Sequence, residues 1–234
     1  MAATAGSLTP TTAPLRSGDC LTWPEFERRW LAMPEIRKAE LIGGGVVMPP
    51  PISDEHGARH FNLVFWLGCY RAATPGVVGS DNATIRLDMR NAPQPDAFLR
   101  TLPEFGGRAR LDANGYVVGA PDLVAEISVS SIPVDLSAKF ELYRANEVLE
   151  YIVWRVPDRT IDWFVLRDGQ YERLSPDATG VLRSQALPGL WLDPHLIIQD
   201  DLPALMELVR HGTASPEHTA FLQRLRQHSN PGNA

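Results

Sequence analysis

Along this chain the spacing of hydrophobic positions switches between a helical and an extended period, and the switches mark its elements. Thr22-Trp23-Pro24-Glu25 has the form of a capping box with proline in the first turn, which predicts a helix to about Met33. Glu40-Leu41-Ile42 and Val46-Val47-Met48, separated by three glycines, predict two short strands around a turn. Pro49, Pro50 and Pro51 end that run, and Ser53 caps a helix from Asp54 to about Tyr70, with Phe61, Val64, Phe65 and Gly68 at helical spacing. Short extended runs follow from Val77 to Leu99, then an apolar strand from Leu123 to Ile127 that carries one acid. Pro133 and Asp135 open a helix to about Glu147, ahead of a strand from Tyr151 to Val156. The runs Thr160 to Leu166 and Gln170 to Leu174 flank Arg167-Asp168-Gly169 and predict a hairpin, because Asp-Gly supplies the positive φ of a tight turn. Apolar spacing in 201–226 predicts one or two terminal helices.

Helices interleaved with strands in this order imply a mixed α+β domain, a central mixed β-sheet flanked by helices, without internal repeats. The length and a hydrophobic content of 44% suit one core. Residues 1–19, rich in Ala, Thr, Pro and Ser, are expected to be a disordered tail, with order starting at Thr22. Residues 20–199 would form the domain and 200–234 a helical extension and tail.

Composition narrows the function. Two cysteines, Cys20 and Cys69, make neither a disulfide framework nor a zinc cluster, so a reducing compartment is expected. The first residues lack the apolar run of a signal peptide, and nothing later approaches a membrane span, so a cytoplasmic protein is expected. A net charge of -6 argues against a protein that coats nucleic acid through a broad basic surface. It leaves room for a site that gathers carboxylates around a cation.

Asp96, at the mouth of an apolar strand, and Glu126, inside one, stand where acids are expensive. Burying a carboxylate among aliphatic residues costs several kcal/mol unless it is paired or binds a metal. For Glu126 the pattern leaves a second reading open, in which it alternates outward to water on an edge strand. Only Lys38 and Lys139 are lysines among 22 basic residues, and Lys139 lies on the helix after the Glu126 strand. An ammonium is a compact point charge suited to a water or a phosphate. His56 and His60 lie four apart, but without a third ligand in the motif they read as structural or surface residues, and the triple glycine lacks the Lys-Ser/Thr of a phosphate loop.

The runs AELIGGGVV, PPPISDEHGARHFNL, QPDAFL and GAPDLVAEISVSS, with DLSAKFELYRANEVLEYIVWRVPDRTIDWFVLRDGQY, resemble the Uma family of restriction-endonuclease-like proteins, a branch of the PD-(D/E)XK superfamily. The resemblance implies a restriction-endonuclease-like core and a Mg²⁺-dependent nuclease, with Mn²⁺ as substitute, acting on nucleic acid and most readily on DNA. It places the metal at Asp96, Glu126 and the backbone carbonyl of Ile127. Ser128 stands where many superfamily members carry their lysine; Lys139 would supply that charge from the next helix, and Glu40 would complete the site. The family's ELIDGEV reads Glu40-Leu41-Ile42-Gly43-Gly44-Gly45-Val46 here, so two acids are missing. A nuclease fold that has lost turnover and serves as a binding module is therefore the alternative. One site per chain would make a homodimer convenient for cutting two strands.

Overall fold

The structure, a computed structural model, describes residues 12–129 and 136–229. Its centre is a mixed sheet of six strands, numbered in chain order with the short outlying strands β4 (Ile85–Arg86), β6 (Arg110–Leu111), β7 (Val117–Val118) and β12 (Leu182–Arg183): β3 (Val77–Asp81), β5 (Ala97–Thr101), β8 (Leu123–Ser128), β9 (Glu150–Arg155), β10 (Thr160–Arg167) and β11 (Gln170–Arg173). Their spatial order is β11-β10-β9-β8-β5-β3, with β8 and β9 parallel and every other pair antiparallel. Both faces are covered. β8 lies centrally and all six of its residues are buried, so Glu126 does not alternate out to water on an edge strand. Alternation sends Leu123, Ala125 and Ile127 to one side and Val124 and Glu126 to the other.

Helix α2 (Asp54–Ala72) covers the first side. Its buried Leu63, Trp66, Leu67 and Tyr70 recur at helical spacing, and Ser53 caps it by accepting a bond from the His56 N–H. On the second side, α3 (Ala138–Ala145) buries Lys139, Leu142 and Tyr143. The expected start of that helix at Pro133 and Asp135, like the loop at Ser130 and Ser131, lies outside the described residues. The β10–β11 hairpin turns at Asp168 and Gly169, both at positive φ as the dipeptide requires.

Two boundaries differ from expectation. Leu15, assigned by composition to the tail, is buried against Trp23, Phe26 and Leu41 in an N-terminal cluster. Gly18 N–H and Asp19 carbonyl bond to Val46 of β2 (Gly45–Val47), which pairs with β1 (Glu40–Ile42). Helix α1 (Trp23–Leu31) starts where predicted but without the capping box: the Thr22 side chain makes no cap bond, and the Glu25 carboxylate pairs with Arg28 and Arg29. At the other end, α5 (Leu202–Thr213) and α6 (Pro216–Ser229), which follow the short α4 (Pro194–Ile198), put Leu205, Val209, Phe221 and Leu225 into the main core. The helices from 202 onward are thus built into the domain. Among the described residues no helix is long and apolar enough to cross a membrane.

Candidate active site

The sequence 94–97 explains why a site forms where β5 begins. Ala97 of β5 pairs with Ala125 of β8, and continuing that register sets Pro95 opposite Ile127. Proline has no N–H, so the ladder cannot continue. Ile127 N–H instead donates to Asp96 Oδ2 at 2.7 Å. The N–H and C=O of one strand residue point to the same edge, so the Ile127 carbonyl also faces this break.

Asp96 and Glu126 project from neighbouring strands into one cavity of about 450 Å³, and each is 3% exposed. Glu40, Lys38, His56 and Lys139 line the same cavity, which the segment from Val47 to Ser53 borders. Lys139 Nζ lies 2.8 Å from Glu126 Oε1 and 3.2 Å from Glu40 Oε1. Tyr143, one helical turn beyond Lys139, donates its hydroxyl to the same Glu126 oxygen at 2.9 Å. Burial, then the charge of Glu126, pushes the Tyr143 phenol well above its usual range, so it remains a donor. Glu40 also accepts Gln94 N–H at 2.8 Å.

Asp96 is held from the other side of the cavity. His56 Nε2 stands 3.2 Å and Lys38 Nζ 3.7 Å from its Oδ1, while His60 donates to its backbone carbonyl at 2.8 Å. Burial pushes the Asp96 carboxyl upward, but the His56 bond, the charges of His56 and Lys38 and the Ile127 N–H outweigh it and hold the group below the usual carboxylate range. In the cavity three carboxylates, Asp96, Glu126 and Glu40, face two ammonium groups and the His56 ring.

Every residue proposed from the sequence, Asp96, Glu126, Lys139, Glu40 and Ile127, therefore lies at this one place. Sequence reasoning missed Lys38, His56, His60 and Tyr143. Lys38 carried a signal, since it is the other of the chain's two lysines. Tyr143 carried another, four residues from Lys139 on one helix. The histidines face Asp96, whose position relative to α2 no local pattern reveals. The acids suit a hard divalent cation in kind, because Mg²⁺ needs only one or two carboxylates and keeps several waters. Among the described residues no three His, Cys, Asp or Glu side chains converge as a metal cluster, so water and the Ile127 carbonyl would have to complete such a shell.

A family model described as "Putative restriction endonuclease", Uma2, matches residues 23–195. The chain belongs to the Uma2 family. The match spans both halves of the site, from the Glu40 strand to the hairpin beyond Lys139. This Uma2 chain also resembles the crystal structure of a "putative nuclease belonging to DUF820" from Anabaena variabilis ATCC 29413. The likeness has a TM-score of 0.52 at 14% identity, and covers 78% of this chain and 97% of that one. At that identity it concerns the fold alone. No curated protein matches the chain.

Proposed function

We propose that this Uma2 chain is a divalent-cation-dependent nuclease that hydrolyses phosphodiester bonds in DNA in the cytoplasm. One observation carries the reading. A proline-terminated strand and its central neighbour deliver two buried carboxylates, Asp96 and Glu126, to one cavity wall, with an ammonium bonded to one of them. A buried ion-pair cluster is weak evidence of stability, since apolar residues of similar volume often do as well, so chemistry is the better reason to keep these acids.

Mg²⁺, or Mn²⁺ in its place, would be held by Asp96, Glu126 and the Ile127 carbonyl, and when bound supplies an acidic water and positive charge for the phosphate oxygens. The chain's own groups prepare that site. Ile127 N–H fixes one oxygen of Asp96, and Lys139 with Tyr143 fixes Glu126. Glu40, anchored by Gln94, holds the Lys139 ammonium beside Glu126. From there Lys139 would orient the attacking water and steady the charge of the pentavalent phosphorus. Asp96, Glu126 and Glu40 outnumber the two ammonium groups, so the cavity has carboxylate charge to spare for a cation. A homodimer would let one site per chain cut both strands.

The rival reading, a binding module without turnover, is favoured by Gly43 and Gly45, where the family carries acids. Incubation of the pure protein with plasmid, linear duplex and single-stranded DNA in Mg²⁺, Mn²⁺ or EDTA separates the two. The nuclease reading expects cleavage that EDTA abolishes. Absence of metal-dependent cleavage, together with absence of cation binding by calorimetry, would support the module.

A further inference from the structure

The chain spends its only two lysines on this cavity, and the two are held in different ways. Lys139 is nearly sealed, with 8% of its side chain exposed, and is shared between the carboxylates of Glu126 and Glu40. Lys38 has 23% exposed. Its Nζ donates to Asn82 Oδ1 at 3.2 Å and lies 3.7 Å from Asp96, beyond hydrogen-bond reach. An ammonium has three N–H donors, and the acceptor beside Lys38 is a neutral amide.

Asn82 is itself specially placed. It follows β3 with φ of 46°, a left-handed conformation that Asn tolerates better than most residues. Its N–H donates to the Asp96 carbonyl at 3.2 Å, so one residue fixes both the Asp96 backbone and the tip of Lys38. Non-glycine residues in that region cost energy and persist where the surroundings demand them.

From this asymmetry we infer that Lys38 is the group that contacts the phosphate of the nucleic acid, positioned by Asn82, whereas Lys139 serves the two glutamates. The inference rests on the nuclease reading above. It assigns Lys38 a binding role in which one phosphate oxygen takes a charge-assisted bond across the cavity from Lys139. Arginine is the cation this chain uses elsewhere. At position 38 a compact ammonium fits beside Asn82 and Asp96 and still leaves room for a phosphate.

A chain with two lysines allows a direct test on the wild type. Amine labelling with an N-hydroxysuccinimide ester, read by mass spectrometry at residues 38 and 139, is compared with and without saturating duplex DNA, in Ca²⁺ so that strands stay intact. Lys38 is expected to label faster than Lys139 in the free protein and to be protected several-fold by DNA. In parallel, Lys38→Met should weaken duplex binding about tenfold and reduce the slope of log affinity against log salt by about 1, while Lys38→Arg retains most binding. KM should rise more than kcat falls. If the wild type binds and cuts DNA while Lys38 labels at an unchanged rate, or Lys38→Met keeps the wild-type salt slope, the inference fails and the nuclease reading stands. If the wild type neither binds nor cuts DNA, the nuclease reading fails and takes this inference with it.

Discussion

Glu126 and Glu150 are buried glutamates on adjacent parallel strands, β8 and β9, and they are satisfied in opposite ways. Glu150 is fully buried and accepts four hydrogen bonds, from Gln185 N–H and Ala186 N–H on Oε1 and from Trp163 Nε1 and the Ser184 hydroxyl on Oε2. No cation is among those donors. It staples the segment before β13 (Trp191–Leu192) to the sheet. Glu126 points to the opposite side, is paired with the Lys139 ammonium and the Tyr143 hydroxyl, and borders a cavity of about 450 Å³. Burial alone therefore does not mark a functional acid. What distinguishes Glu126 is a charged partner, a second carboxylate within reach of the same cation, and space in front of it.

This contrast can be broken by exchanging the losses. Glu126→Ala and Asp96→Ala should each reduce metal-dependent cleavage to background, whereas Glu150→Ala should cut at nearly the wild-type rate per folded molecule. A Glu150 variant as inactive as Glu126→Ala at full folding would erase the distinction. Next in size, Lys139→Ala should lose about 10²-fold in rate or more with metal affinity largely kept, and adding Ser128→Lys, on the face of β8 that carries Glu126, should restore part of it. Equal rates for wild type and Lys139→Ala at the same metal saturation would reduce Lys139 to a packing role.

Stability sharpens the same contrast. From charge alone, removing one acid of a cluster should relieve repulsion and stabilise. Here Glu126 is paired with the Lys139 ammonium that it shares with Glu40, so Glu126→Ala strands part of that buried charge and should cost about 3 kcal/mol, measured by urea unfolding without metal. Glu150→Ala leaves four donors short of an acceptor and should cost a similar amount, about 3 kcal/mol. A chain that begins at Asp19 loses Leu15 from the N-terminal cluster and should be less stable by about 2 kcal/mol, against no change if 1–19 were a tail.

The smallest effect is a pH dependence. Burial pushes the Glu150 carboxyl above its ordinary 4.5, against the pull of Ala186, Ser184, Gln185 and Trp163. The folded state then holds that proton more tightly than the unfolded chain. The stability Glu150 adds relative to Gln is present below the ordinary value and is lost as pH rises through the raised one. The gap between wild type and Glu150→Gln in urea midpoint should therefore shrink as pH is raised from about 4 to about 7. A gap that widens would mean that the four donors, not burial, set its titration.

Much of this was legible before any coordinates. The order of helices and strands, the Asp168-Gly169 hairpin and the candidates Asp96, Glu126 and Lys139 were written in local patterns, which act over a few residues, whereas Glu40 and the Ile127 carbonyl entered only through the family resemblance. Leu15 was not legible, since an isolated leucine among Ala, Thr and Pro has no period, and its burial depends on Trp23 and Leu41 meeting it. Glu150 was missed as a buried acid because its four donors come from 163 and from 184–186, far along the chain. His56 and His60 were visible as a pair, but their partner, Asp96, is set by how α2 lies on the sheet.

The central claim, that Asp96 and Glu126 hold the ion a nuclease needs, is tested most directly by titrating Mg²⁺ into wild type, Asp96→Asn and Glu126→Gln in a calorimeter, with plasmid cleavage followed on the same samples. The account predicts saturable Mg²⁺ binding and EDTA-sensitive cleavage in the wild type, and loss of both in each variant with the fold retained. Cleavage that persists in either variant, or a wild type that binds no divalent ion, would contradict it.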